Sequence, residues 1–477
     1  MNATNLRHAR VALVAVAIAW VVAQVALVGV HRWFAWDEAV YFAKASPDLP
    51  TVSWAAARSL GFPALLWPVV AAGGGAGAVR VEMLLVCGAG LVAAYWPWTT
   101  RLGGGGVAAA VLFAGSWPAL FYGTELYPNL VVALALVGAL GAAVNAQTKR
   151  AAVVALAFMA IASTCRPTDA LLAAVGAAPL LFVVRRRQAI TPVTGLLGGV
   201  AVGWTVWVVE AFLDFGGPIE RFRTAFQNNA ARDPRRGVLT GLAHQPLTAS
   251  LSRSPIVAAL AWVAFLAALA IAGYVIAHRR GELSVLVALA AAAMLLIAYV
   301  LYAPDTGARF LLPVFALISV PAGIALDAAR RALAHPASAR GVLAGAVCAL
   351  VAVTIVLHGH AANAIATRER AARATDQAAG RELARLAHGR PCAFVSQFNY
   401  PAIEVASHCN GAPLRFDRSP SLPRSFTRQP GLRFAVGPFP PAAGSRVAQW
   451  RRVQPVGAPG VSIYVAPVAR PKDPTGG

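Results

Sequence analysis

The stretch "VALVAVAIAWVVAQVALVGVHRWFAWDEAVYF" occupies residues 11–42 and joins two contrasting segments. Residues 11–30 are twenty consecutive uncharged residues, which is long enough for one membrane-spanning helix. This run exceeds the roughly 7–15 residue apolar core of a signal peptide, so we predict that it is retained. Asp37 and Glu38 follow it as neighbours among tryptophan, phenylalanine and tyrosine residues. The stretch predicts a membrane helix that leads into an acidic, aromatic loop.

The composition of the whole chain extends this pattern. Of 477 residues, 58% are hydrophobic and only 13% are charged, whereas soluble domains carry about 25% charged residues. Repeated uncharged runs predict a polytopic α-helical membrane protein with about eleven spans. The predicted spans are 11–30, 81–98, 107–123, 127–146, 151–165, 170–184, 190–209, 255–277, 283–302, 310–326 and 341–357.

The distribution of positive charge predicts the topology. The net charge is +22, but no nucleic-acid-binding motif accompanies it, so we expect anionic lipid headgroups or lipid phosphates as acidic partners and no nucleic acid. Alternate loops are rich in basic residues, namely Arg7, Arg10, Arg101, Lys149, Arg150, Arg185, Arg186, Arg187, Arg279, Arg280, Arg330, Arg331 and Arg340. The positive-inside rule then predicts a multi-pass plasma-membrane protein with a cytoplasmic N-terminus and an extracytoplasmic C-terminus.

This topology assigns three large segments to the outer face. We predict a transmembrane module over 1–358, with outer loops at 31–80 and 210–254, and an extracytoplasmic domain over 359–477. The apolar segment 61–79 would break the charge alternation if it crossed the membrane, so we interpret it as interfacial or re-entrant.

The C-terminal segment has the pattern of a small α/β domain. An Ala-rich charged helix is predicted from residue 359, followed by the strands "CAFVSQF", "LRFAVG" and "VSIYVAPV", with "YPAIEVASHC" as a helix between the first two strands. Cys392 and Cys409 lie in this region, and an extracytoplasmic location would favour a disulfide between them.

Ionisable residues of the membrane part concentrate on the predicted outer side. They are Asp37, Glu38, Glu82, Glu125, Arg166, Asp169, Asp305 and Arg309, whereas Asp327 lies at an inner end. Ionisable groups at membrane depth are functional candidates. The structural alternatives are solvated loop acids for Asp37 and Glu38, a first-turn helix acid for Glu125, capping or turn residues for Asp169 and Asp305, and snorkelling residues for Arg166 and Arg309. The glycine run 103–106 lacks the Lys-Ser/Thr of a phosphate loop and is interpreted as a turn.

Several of these motifs occur in an order that resembles a known superfamily. "WDEAVYFA", "SLGFPALLWPVV", "GAGAVRVEMLL", "YGTELYPNLVVALALV", "TCRPTDALLAA" and "GARFLLPVFALISVPAGIAL" follow one another over about residues 1–330. The chain is similar to the GT-C integral-membrane glycosyltransferases, including protein mannosyltransferases and the bacterial aminoarabinose and arabinofuranosyl transferases. Many relatives carry His-Pro-Pro-Leu where this chain has "GFPA" at 61–64.

The resemblance implies roles for individual residues. Asp37 would match the catalytic acid of the first outer loop, and Glu38 would orient it or contact the acceptor. Arg166 and Arg309 would lie near a lipid phosphate, and Glu125 would face the same cavity. We also predict substrate contacts for Trp36, Tyr41 and Arg58.

The implied chemistry is inverting transfer of a sugar from a polyprenyl-phosphate donor to a hydroxyl of a cell-envelope glycan, lipid or protein. A carboxylate would accept the hydroxyl proton, and arginines would stabilise the leaving phosphate. No Asp-x-Asp is present, so we predict no obligatory metal or other cofactor. Mannose and arabinose are the expected sugars. A transporter and a lipid-headgroup phosphotransferase are alternatives.

Overall fold

Long apolar helices account for most of the computed structural model, which describes residues 3–49, 54–146, 149–230, 255–302, 308–334, 338–397, 399–413, 426, 431–437, 441 and 445–467. The helices are α1 Ala3–Leu27, α2 Trp36–Ala45, α3 Gly61–Ala71, α4 Ala76–Leu102, α5 Gly104–Ala114, α6 Trp117–Tyr122, α7 Pro128–Asn145, α8 Lys149–Cys165, α9 Pro167–Arg185, α10 Ile190–Asp214, α11 Pro218–Ala230, α12 Pro255–Arg279, α13 Val285–Tyr302, α14 Leu312–Ala332, α15 Ala339–Ala387 and α16 Tyr400–Ser407. Each predicted span lies largely within a helix of the structure. The third predicted span, 107–123, covers both α5 and α6. Within the described ranges, seven helical segments are long and apolar enough to cross a membrane. The chain is a polytopic α-helical membrane protein, as predicted.

The chain divides into two units that interleave in sequence. One, here called the membrane unit, comprises Met1–Val30, Ala55–Leu65 and Arg80–Ala366. The other, here called the sheet unit, comprises His31–Trp54, Leu66–Val79 and Thr367–Gly477. The acidic loop after α1 therefore belongs to the same unit as the C-terminal residues. Residues 231–254 of the predicted second outer loop, and Asp305, lie outside the described residues.

Helix α7 is the core of the membrane unit. Its residues from Pro128 to Val144 are all buried, which explains why the helix is apolar on every side. Helices α8 and α14 pack against it, and α10 in turn packs against α8. An inner helix of this kind needs no polar face.

A glycine ridge sets the close approach of α10 to α8. Gly195, Gly199 and Gly203 are spaced four residues apart and share one face of α10. A Cβ at Gly195 would lie 2.7 Å from the Ala152 carbonyl oxygen, and one at Gly199 would lie 2.6 Å from that of Leu156. Small residues at this spacing allow two membrane helices to pack backbone against backbone.

The segment 61–79 does not form one long helix. Helix α3 ends at Ala71 after eleven residues, and α4 begins at Ala76. Eleven helical residues extend about 16 Å, roughly half of the hydrocarbon thickness. The interfacial or re-entrant placement of this segment stays a prediction.

The sheet unit contains the predicted small α/β domain. Its strands are β1 Cys392–Ser396, β2 Asn410–Pro413, β3 Leu432–Gly437, β4 Arg451–Val453 and β5 Ser462–Val465, in the spatial order β2-β1-β3-β5-β4. Strand β1 is parallel to β2 and β3, whereas β5 is antiparallel to β3 and β4. Phe394 and Phe434 pack on one face with Ile403 of α16, and Val395 packs on the other face. The three predicted strands and the helix between the first two are confirmed.

Helix α15 differs from the prediction in its length. We expected a span at 341–357 followed by a separate helix from residue 359, but one continuous helix of 49 residues includes both. Its rise of 1.5 Å per residue makes it about 74 Å long, far longer than a bilayer requires. Gly359 lies inside the helix without ending it, because a single glycine costs a helix only about 1 kcal/mol.

Candidate active site

The acidic pair lies in the first turn of α2. Ala35 precedes the helix in an extended conformation, so Asp37 and Glu38 are the second and third helical residues. Unsatisfied N–H groups at a helix start favour negatively charged side chains. The start of α2 is therefore a favourable position for two adjacent acidic residues.

Glu38 is fully buried and held from two sides. Its Oε2 accepts hydrogen bonds from the Ala35 backbone N–H at 2.7 Å and from Nη1 of Arg373 in α15 at 2.9 Å. Arg373 is itself buried and also contacts the carboxylate of Glu369 at 3.3 Å. Glu38 therefore ties the start of α2 to the charged half of α15 within the sheet unit.

Asp37 differs from its neighbour because it is only half-buried. It follows Trp36, whose side chain is 41% exposed and packs edge-on against Tyr400 with the ring centroids 4.8 Å apart. Tyr41 is buried against Trp54, at 5.8 Å between ring centroids. Of these residues, Asp37 and Trp36 keep surface that a ligand can reach.

Two further carboxyl groups of the sheet unit have raised pKa values. Burial raises the pKa of Asp376, in the charged half of α15, to about 7, although Asn399 donates to it at 3.2 Å. Burial likewise raises the pKa of Glu404 in α16 to about 7. Both carboxyls therefore change charge near neutral pH.

In the membrane unit, Glu125 forms a buried ion pair. Its Oε1 lies 3.5 Å from Nη1 of Arg80, and neither side chain has exposed surface. The same Nη1 donates to the Thr124 carbonyl oxygen at 2.8 Å. This pairing ties the start of α4 to the turn that precedes α7.

Arg166 lies at the start of α9 in a second polar cluster. Its Nε and Nη2 donate to the two oxygens of Asp169 at 2.5 and 3.3 Å. The hydroxyl of Tyr299 in α13 donates to Asp169 at 2.7 Å. Asp169 thus accepts from two helices and fixes the guanidinium of Arg166, which stays partly exposed.

Arg309 lies in a short 3-10 turn, Ala308–Leu311, immediately before α14. Its guanidinium carbon is 4.4 Å from the ring centroid of Tyr127 and 5.2 Å from that of Phe310. The guanidinium carbon of Arg166 lies 5.0 Å from the same Phe310 ring. The structure therefore brings Arg166 and Arg309, which are 143 positions apart in the chain, to one aromatic ring.

Arg58 is positioned through its backbone. Arg221 is fully buried and donates to the carbonyl oxygens of Ala56, Trp207 and Arg58 at 3.0, 2.8 and 2.5 Å. It also pairs with Glu210 at 3.0 Å. Arg221 thereby connects α10 and α11 to the segment that carries Arg58.

The predicted site residues fall into two sets. Arg58, Glu125, Arg166 and Arg309 belong to the membrane unit, whereas Trp36, Asp37, Glu38 and Tyr41 belong to the sheet unit. Glu125 lies two residues before Tyr127, and its carbonyl oxygen accepts a hydrogen bond from the Tyr127 backbone N–H at 2.9 Å. Glu125 is therefore near the residue whose ring faces Arg309. No group of three histidine, cysteine or acidic side chains suitable for a metal ion occurs within the described ranges.

The sequence interpretation missed four residues that shape these clusters, namely Arg80, Arg221, Tyr299 and Arg373. Arg80 had a usable signal, because a lone arginine in an apolar run close to Glu82 is a functional candidate. Arg373 had none, since it is one of several arginines on a charged helix. Cys392 and Cys409 form a disulfide in the structure.

Comparison with known proteins gives a likeness of fold. No protein-family model and no curated protein sequence matches the chain. ArnT from Cupriavidus metallidurans bound to undecaprenyl phosphate is similar with a TM-score of 0.63 and 15% identity, over 97% of this chain and 98% of that one. Its apo state gives a TM-score of 0.61 and 14% identity, over 95% and 97%.

A second membrane enzyme shares the architecture. The Archaeoglobus fulgidus oligosaccharyltransferase tethered with an acceptor peptide containing the NVT sequon has a TM-score of 0.54 and 15% identity, over 88% of this chain and 68% of that one. The chain therefore has the GT-C fold, and the resemblance predicted from its motifs is confirmed at the level of the fold.

Proposed function

We propose that this GT-C-fold protein transfers a sugar from a polyprenyl-phosphate donor to a hydroxyl group of a cell-envelope acceptor. The observation that carries the proposal is the pair of guanidiniums, Arg166 and Arg309, at the ring of Phe310. ArnT, which shares the fold over nearly the whole chain, has been observed with undecaprenyl phosphate. A polyprenyl phosphate is an anion on an apolar chain, and two cations at helix starts of a membrane unit match it in charge.

The two arginines would stabilise the leaving group. As the bond between the anomeric carbon and the phosphate oxygen breaks, negative charge grows on the phosphate, and cations already in position stabilise that charge. Asp169 and the aromatic rings restrict the two guanidiniums, so little reorganisation is needed during the reaction. Arginine suits this role through its planar set of N–H donors.

Asp37 would act as the general base. Its carboxylate is half-buried at a helix start, whereas Glu38 is fully buried and bonded to Arg373. A base must reach the hydroxyl proton, and Glu38 has no exposed surface for this. Glu38 would instead be a positioning residue that fixes the turn carrying Asp37. Direct attack by the activated hydroxyl, without a covalent intermediate, would invert the anomeric carbon.

The remaining assignments extend the same proposal. Trp36, which is 41% exposed, and Arg58 would contact the sugar or acceptor, whereas Tyr41 is buried against Trp54 and would support this loop. Mannose and arabinose are the proposed sugars, and a glycan, lipid or protein of the envelope is the proposed acceptor. The N-terminus would be cytoplasmic and the domain over 359–477 extracytoplasmic, which the Cys392–Cys409 disulfide supports.

The test uses the full-length protein reconstituted in sealed proteoliposomes. Polyprenyl-phosphate mannose and arabinose, labelled separately on the sugar and on the phosphorus, are supplied with envelope acceptors. Transfer of the sugar label alone, with an inverted anomeric centre, is expected. Transfer of both labels would instead indicate a phosphotransferase, and release of intact donor across the membrane would indicate a transporter.

A further inference from the structure

A second concentration of charge lies in a cavity of about 1030 Å³ in the membrane unit. Its walls come from the start of α1, the end of α4, the start of α5, the end of α14 and Cys348 of α15. Neither the acidic pair nor the arginines assigned to the donor line it. Its volume is at the upper end of the roughly 300–1,000 Å³ typical of small-molecule sites.

One end of the cavity is cationic. The carboxylate of Asp327 is nearly buried and accepts from Nη2 of Arg330 at 3.0 Å and from Nη2 of Arg331 at 2.6 Å. The side chains of both arginines remain more than half exposed. Two cations on one anion leave an excess positive charge. Arg101, a third cation in the wall, is balanced by Glu282 at 2.9 Å.

Apart from Asn5 and His8 of α1, the rest of the cavity lining is mainly apolar. Its apolar lining includes the side chains of Ala12, Val107, Val111 and Leu326. A ligand that satisfies both parts must carry an anion at one end and hydrocarbon at the other. Free inorganic phosphate would match only the cationic end.

The glycine run 103–106, which the sequence suggested was a turn, shapes this end of the cavity. Helix α5 begins at Gly104 after Gly103, which adopts a φ of +60°. A Cβ at Gly104 would collide with the carboxylate of Asp327. Because Gly104 has no side chain, α5 starts directly against the carboxylate of Asp327. A methyl group at this position would displace that carboxylate, together with Arg330 and Arg331, which pair with it and extend into the cavity.

The cavity and Arg309 lie at opposite ends of α14. Arg309 immediately precedes this helix, and Arg330 and Arg331 are in its last turn. Twenty-one helical residues extend about 30 Å, which is the thickness of the hydrocarbon core. The two cationic sites therefore belong to opposite membrane faces.

We propose that this cavity binds an anionic phospholipid, with the headgroup phosphate on Arg330 and Arg331 and the acyl chains along Val107 and Val111. Basic pockets between membrane helices bind anionic lipid headgroups in this manner. The site stands independently of the transferase activity, because it shares no residue with the donor or the acidic pair.

The test counts bound lipid by native mass spectrometry of the full-length protein titrated with phosphatidylglycerol or phosphatidylcholine. The wild type is expected to retain phosphatidylglycerol selectively, and Arg330→Gln/Arg331→Gln should weaken that binding about tenfold or more. The matched control is Arg279→Gln/Arg280→Gln, an exposed basic pair at the end of α12, which should bind like the wild type. Equal binding by both double variants would overturn the proposal.

Two further arms keep the result interpretable. Val107→Trp fills the cavity while leaving every charge in place, so it should also abolish selective binding even if the arginine variant folds poorly. Competition by glycerol phosphate separates the sources of the anion. Displacement of the lipid by millimolar glycerol phosphate would show a site for soluble phosphates and overturn the lipid assignment, whereas retention of the lipid supports it.

Discussion

The sheet unit and the membrane unit each contain a buried ion pair near the candidate site residues, but the accessible charges beside these pairs are opposite in sign. In the sheet unit, Glu38 and Arg373 are buried together, and the accessible neighbour is the carboxylate of Asp37. In the membrane unit, Arg80 and Glu125 are buried together, and the accessible groups are guanidiniums. In the proposed function, the carboxylate of Asp37 would accept the proton and the guanidiniums would stabilise the phosphate.

The largest expected effect comes from removing the accessible carboxylate. Asp37→Asn should lower kcat by about 10²–10⁴-fold, because an amide cannot accept the hydroxyl proton. Asp48→Asn, an exposed acid of the same segment, should leave the rate unchanged. The measurement is radiolabelled sugar transfer at saturating donor. A wild-type kcat in Asp37→Asn would contradict the proposal that Asp37 accepts the hydroxyl proton.

Breaking the buried pair of the sheet unit should act mainly on stability. Glu38→Gln removes the buried counter-charge of Arg373, and losing one partner of a buried ion pair costs about 3–5 kcal/mol in comparable cases. Glu369→Gln is the matched control, because it removes an exposed partner of the same arginine and should cost at most about 1 kcal/mol. Thermal unfolding in detergent measures both variants.

A double variant tests whether Glu38 positions Asp37. Adding Arg373→Gln to Glu38→Gln removes the buried cation that has lost its buried partner, so the double variant should be more stable than Glu38→Gln alone. Any residual loss of activity should appear in kcat rather than in the donor KM. Full activity in Glu38→Gln would argue against positioning of Asp37 by this residue.

The membrane unit should respond through donor binding. Arg309→Ala and Arg166→Ala each remove a charge-assisted contact worth about 1.5–3 kcal/mol, so the donor KM should rise by roughly ten- to a hundredfold. Arg223→Ala, an exposed arginine of α11, is the control. The acceptor KM should change less than the donor KM. An equal rise in both constants would contradict a contact with the lipid phosphate.

The smallest expected effect is a pH dependence confined to the sheet unit. Asp376 and Glu404 have pKa values near 7 in the folded chain, above their ordinary values of 3.8 and 4.5. The folded state then holds more protons than the unfolded state between those limits, so stability is greatest at low pH and falls as pH rises through 7.

This dependence can be measured locally. Between pH 6 and pH 7, each carboxyl should cost the sheet unit about 1 kcal/mol. Hydrogen exchange of β1 and β3, corrected for the intrinsic rate, reports the change. Glu404→Gln should flatten the profile because its amide does not ionise. A profile that rises with pH would contradict the raised pKa values.

Much of the architecture follows from local patterns in the sequence. Uncharged runs placed the membrane helices, because only continuous apolar segments partition into lipid and that property is local in sequence. Short runs containing β-branched and aromatic residues indicated β1, β3 and β5, because such side chains favour extended backbone. The ordered motifs around Asp37, Glu125, Arg166 and Arg309 indicated the GT-C fold.

The physical difference between Asp37 and Glu38, which the sequence separated by resemblance alone, comes from packing. The two acids are neighbours of the same chemical class, and their difference depends on Arg373, which lies 335 positions away from Glu38. The meeting of Arg166 and Arg309 at Phe310, and the assembly of the cavity from five helices, depend likewise on packing between distant segments. Hydropathy and periodicity report the environment of each segment along its own length. Which charges are paired, and which stay accessible, is decided where segments that are far apart in sequence pack together.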